Sequence, residues 1–121
     1  MSVRDTRDLS AVDLPDTPFT QIDWNNVPVR EYRGTTGTSH WRVFTSGDMR
    51  VRIVDYGPGY LADHWCNVGH VLHVLAGELA VELADGRAFL IPSGGSFCVS
   101  DHGDSAHRVR TDAGCQVFIV D

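Results

Sequence analysis

His64, Cys66, His70 and His107 are the residues whose types and spacing suit them to hold a metal ion. The first three fall in the run Asp63-His-Trp-Cys-Asn-Val-Gly-His70, which packs nitrogen and sulfur donors into one short stretch. The hydrophobic pattern around the run reads as strand. On a strand His64 and Cys66, two apart, share a face at about 6.5 Å, with Trp65 opposite. Metal–nitrogen and metal–sulfur bonds of about 2.0–2.3 Å would close that gap from both sides. His70 opens the next strand after Asn67-Val-Gly69. His107 opens a later one after a long polar loop, which makes it the best distant fourth donor.

The other histidines fit less well. His73 stands three positions beyond His70 and so faces the other way. His102 lies inside a polar loop, and His40 starts an early strand with no local partner. A plainer reading competes throughout: polar residues on a β surface, with Cys66 a small buried hydrophobe. Cys98 and Cys115 fall in strand patterns and read as packing thiols.

The elements that must position these donors are short strands. His40–Thr45, Met49–Tyr56, Tyr60–Cys66, His70–Leu75, Leu79–Leu83, Arg87–Ile91, Ser96–Ser100, His107–Thr111 and Cys115–Val120 carry β-forming patterns. Turn signals separate them: Ser46-Gly-Asp48, Gly57-Pro-Gly59, Ala76-Gly77, Ala84-Asp-Gly86, Pro92–Gly95 and Asp112-Ala-Gly114. No window holds a helical period between caps, so an all-β sandwich or barrel is predicted. Residues 1–17 mix charges with small residues and read as a flexible tail, with the domain over 18–121. Pro18–Arg33 is too apolar to float free and is expected to lie across the outside.

With 121 residues the chain supports one core. All ten basic residues are Arg, against sixteen acids, for a net charge of -6. An acidic chain without a basic run is a poor partner for nucleic acid or anionic membrane. The absence of Lys removes side-chain Schiff-base chemistry. No apolar run reaches a membrane span or a secretory signal. Three cysteines without a CxxC pair suit a reducing cytoplasm.

The spacing His64-x-Cys66-x3-His70-x6-Gly77 resembles the first motif of the cupins, which carries two histidines, a glutamate and a glycine there. Gly95, Asp101-x-Gly103, His107 and Thr111 resemble the second motif, with one extra residue before His107. The Asp63-His-Trp-Cys66 run and the Phe-Ile-Val-Asp ending look like a subgroup of small cupins named for an Asp-His-Cys-Trp signature. The resemblance covers Phe19 to Asp121. It implies a jelly-roll β-barrel in which His64, Cys66, His70 and His107 converge on a divalent metal. Cys66 and His70 depart from the family's histidine and glutamate. A sphere of three nitrogens and one sulfur favours zinc, with nickel or copper next.

Four such ligands would close a tetrahedron, as in structural zinc; without Cys66, three histidines would leave open positions and resemble an iron thiol dioxygenase. Parity puts Leu72, Val74, Val109 and Thr111 on the donors' faces, which predicts an apolar pocket for a small organic molecule. Arg108 and Arg110 should point outward. Trp65 should be covered by Pro18–Arg33 or by a second subunit, and a homodimer is expected. Glu78 and Glu82 are the nearest acids in sequence, and neither makes a convincing general base. Three functions stay open: a metal-binding barrel for a small ligand, an iron-dependent dioxygenase, and a jelly roll without metal.

Overall fold

The computed structural model describes residues 14–121; residues 1–13, and with them most of the expected tail, lie outside the described residues. Eight strands follow in order: β1 (Arg30–Arg33), β2 (Thr38–Ser46), β3 (Met49–Tyr56), β4 (His70–Leu83), β5 (Ala88–Pro92), β6 (Ser96–Val99), β7 (His107–Arg110) and β8 (Cys115–Val120). A 3-10 turn at Trp24–Asn26 is the one helical element among the described residues. Every strand pair is antiparallel. The all-β expectation holds.

β4 is the hub. Its first half pairs with β6 and β8, its second half with β5 and β7. A single fourteen-residue strand therefore serves both sheets of the barrel, where the sequence pattern suggested two strands and a turn. The switch falls at Ala76-Gly77, where the β4–β8 register shifts between Val74 and Ala76. Gly77 has φ +78°, and a Cβ there would run into Gly114 O and Cys115 Cα. Only glycine meets both demands. The bulge re-aims the side chains, so that Leu72 and Val74 before it and Leu79 and Val81 after it all turn inward.

Those residues meet Val54, Val117 and Ile119 in the core, with Leu79, Val54, Val74 and Val117 fully buried. β1 was not foreseen as a strand: Pro18–Arg33 ends as an edge that pairs with β2, and Tyr32 packs on Trp41 at 4.7 Å between ring centroids. The expected strand over 60–66 is absent. That segment makes only isolated bridges at Leu61 and Cys66, with a bend at Asp63-His64 between them.

Candidate metal centre

Cys66 and His107 are held together by the backbone. Cys66 N–H donates to His107 O (2.7 Å) and His107 N–H to Cys66 O (2.9 Å). Directly opposed residues of an antiparallel pair project on the same side, so the thiol and the imidazole point one way. His70, the first residue of β4, comes in from the adjoining wall, with its ring edge-on to His107 at 5.0 Å and 82°. The donor atoms of Cys66, His70 and His107 all lie within 4.8 Å of one another. Cys66 Sγ stands 3.9 Å from His70 Nε2. A tetrahedral ion bridging sulfur and nitrogen would set them about 3.6 Å apart. The Cys66–His70 pair needs only a few tenths of an ångström to close, and the full set, within 4.8 Å, about an ångström.

His64 is outside this group. Its side chain is 74% exposed, and its Nδ1 lies 2.6 Å from Asp63 Oδ1. The shared face with Cys66 assumed an extended strand, and the bend at Asp63-His64 removes that alternation. His64 instead lines the cavity into which the three donors face. His73 points to the opposite side and meets Ser96 Oγ at 2.6 Å, as its parity required. His102 sits in the polar loop, and His40 lies 3.8 Å from Glu31 of β1, a partner that sequence reasoning did not supply.

His70 is oriented by a carboxylate that the sequence reading did not assign to the site. The register Val71↔Val120 puts Asp121 across from His70, and Asp121 Oδ2 accepts from His70 Nδ1 at 2.9 Å. That bond keeps the proton on Nδ1 and leaves the Nε2 lone pair facing Cys66. A histidine ligand needs this arrangement, with its second nitrogen fixed by a carboxylate. Burial lowers the basicity of His70, against the opposing pull of Asp121, and burial followed by His70 lowers that of His107. Both rings are therefore neutral near pH 7, the form that binds metal.

Asp121 is itself almost fully buried, and Arg50 Nε, Arg50 Nη2 and Arg52 Nη2 also donate to it, at 3.1, 3.1 and 2.7 Å. The two guanidiniums and the buried carboxylate brace one end of the barrel. Arg52 lies inside, its Cζ 4.6 Å over the Trp41 ring. The one sequence signal for Asp121 was the Phe-Ile-Val-Asp ending. Arg50 and Arg52 gave none, because alternation with Val51 and Ile53 reads as a solvent face.

The cavity beside the donors holds about 270 Å³. Leu72 and Val109 line it as expected; Val74 is sealed in the core, and Thr111 clips backbone instead, donating to Glu78 O and accepting from Gly114 N–H. Trp41, Tyr56 and Tyr60 supply an aromatic wall, and burial raises both tyrosine hydroxyls so that they stay protonated. Neither Glu78 nor Glu82 reaches the cavity. Glu82 pairs with Arg108 and Arg110 across β4 and β7. Arg108 stacks over Trp65 at 4.5 Å, and Trp65 remains 42% exposed among the described residues. Cys115 is buried as expected, whereas Cys98 is exposed: the alternation of β6 turns Phe97 and Val99 in and Cys98 out.

No family model and no curated protein matches the chain. Solved structures do. Fe(II)-HppE with the alternative substrate (S)-1-HPP superposes with a TM-score of 0.69 at 17% identity, over 90% of this chain and 62% of that one. The EutQ protein of Clostridium difficile gives 0.66 at 14%, over 83% of each chain. A cupin-2 domain protein of Shewanella frigidimarina gives 0.54 at 16%, over 67% of this chain and 78% of that one. With strands, hub and likenesses in agreement, the chain has the cupin fold, an all-β jelly roll.

Proposed function

We propose that this protein binds a divalent metal through Cys66, His70 and His107 and presents it to a small organic ligand in the barrel. The observation that carries the reading is the convergence of one sulfur and two nitrogens within 4.8 Å at a cavity of about 270 Å³. Asp121 behind His70 completes a carboxylate–histidine arrangement of the kind that supports metal ligands. The Fe(II) named for HppE supports a jelly roll of this shape as a holder of divalent metal. In this chain the thiolate favours zinc over iron or manganese. Cys66, His70 and His107 would hold the metal, which would supply a Lewis acid to the ligand in the cavity. The chain's own residues fix the imidazoles, wall off water with aromatic rings and keep His64 at the mouth. His64 is assigned to that mouth and not to the metal.

The Asp63-His-Trp-Cys66 run and the terminal Asp121 support placement with the small cupins of the Asp-His-Cys-Trp type. A free thiol ligand suits a reducing cytoplasm. Val71 and Leu75, on one face of β4 and 57% and 42% exposed, support a homodimer through that sheet. Sedimentation at twice 13.3 kDa is the expected result, and a monomer at micromolar concentration removes that assignment.

The test of function is metal analysis of untagged protein with Cys66→Ala, His107→Ala and His64→Ala. One zinc per chain is expected in the wild type and in His64→Ala, with loss in the other two. Folded wild-type protein that takes up no metal would leave a jelly roll without a metal role.

A further inference from the structure

We infer that the ligand of this cavity is a small organic carboxylate, received by Arg52. The inference rests on the reading of the cavity as a ligand pocket, and not on the metal. Arg52 is 4% exposed. Among the described residues the one acceptor it reaches is Asp121, through Nη2. Its Nε is buried with no hydrogen-bond partner, the only such side-chain atom among the described residues. A buried donor left without an acceptor is destabilising, the more so when it is charged. The guanidinium is planar and suited to two-point contact with a carboxylate.

Charge points the same way. The chain carries a net charge of -6, yet the cavity wall includes Arg50, Arg52 and Arg108 and, among the described residues, no Asp or Glu. Arg108 is paired with Glu82, and the single Asp121 carboxylate is shared by Arg50 and Arg52. One carboxylate therefore serves two of the guanidiniums that line the cavity, and the wall keeps a net positive charge. The faces beside it are apolar or aromatic, with Trp41 under Arg52 and the Tyr56 and Tyr60 rings 4.7 Å apart. A carboxylate on a flat or branched apolar body matches that combination. A bare inorganic anion would leave the aromatic wall without a partner, and a neutral sugar would leave the guanidinium without a counter-charge.

The experiment uses benzoate and its neutral isostere benzamide, titrated calorimetrically into the full chain, both stripped of metal with chelator and loaded with zinc. Stripped wild-type protein is expected to bind benzoate at least tenfold more tightly than benzamide. The preference should fall to about one in Arg52→Gln and persist in Arg42→Gln, which removes the same charge outside the cavity. No preference in the wild type, including no binding of either compound, overturns the inference, as does a preference that survives Arg52→Gln. Should Arg52→Gln not fold, the wild-type Arg52 Nε–H resonance decides. It moves with benzoate and not with benzamide if the inference holds, and an unmoved signal overturns it. Carboxylate preference in stripped protein that also refuses zinc would remove the metal reading alone; zinc uptake without that preference would remove this inference alone.

Discussion

Among single residues, Asp121 holds the most together. Its carboxylate fixes His70 and pairs with both Arg50 and Arg52. Asp121→Asn should therefore weaken zinc binding about 10–100-fold, measured against a competing chelator, because a ligand histidine loses its orienting carboxylate. It should also cost about 3 kcal/mol in chemical denaturation, since Arg52 is left buried without its counter-charge. His64→Ala should change neither value. The structure brings together three of the four residues that the spacing singles out: Cys66 and His107 meet as a bridged pair and His70 begins a strand. His64 stands apart from them, because alternation says nothing about a bend. Arg50 and Arg52 were hidden by the reverse problem. On β3 the parity of Arg52 continues into Val54 and Tyr56, all buried, so the polar-looking face is the inner one.

At the scale of elements, the bend of β4 places the site. The strand carries His70 at one end, crosses between sheets at Gly77 and closes the core at Leu79. Gly77→Ala should destabilise the fold by more than about 2 kcal/mol in urea or guanidinium, because it meets both a backbone clash and a positive φ. Sequence placed a turn here for a sound local reason, a small residue before glycine. It missed that the hydrogen bonding continues through a bulge. The β4–β7 pairing adds a measurable acid sensitivity. Hydrogen bonds from Arg108, and then from Arg110, hold the Glu82 carboxyl below its ordinary value. The stabilisation is present above the unfolded-state value near 4.5 and is lost as pH falls through the lower folded value. The Glu82 side chain is 27% exposed, so screening limits the gain to about 0.5–1 kcal/mol. Glu82→Gln should flatten the stability profile below about pH 4.5 by that amount and leave metal content unchanged.

For the molecule as a whole, a single core supports both the barrel and its mouth. Leu79 is fully buried in that core, and Leu79→Ala should cost about 2–5 kcal/mol by thermal or chemical unfolding. An all-β barrel was legible in the sequence because its strands are short, alternating and punctuated by glycine turns, and Met49–Tyr56 and Cys115–Val120 end where the pattern ends. β1 was not legible. All its residues are exposed, and an edge strand that buries no side chain leaves no alternation to read. The chemistry of the mouth was partly legible for the same physical reason: the donors carry their chemistry in their side chains, whereas the groups that brace them do so only through cross-strand register.

Whether a sulfur and two imidazoles share one ion is read directly by zinc-edge X-ray absorption of loaded, untagged protein. One sulfur at about 2.3 Å with two or three nitrogen or oxygen neighbours at about 2.0–2.1 Å is the expected first sphere. A sphere with no sulfur, or one unchanged by Cys66→Ala, would contradict a shared sulfur–imidazole site.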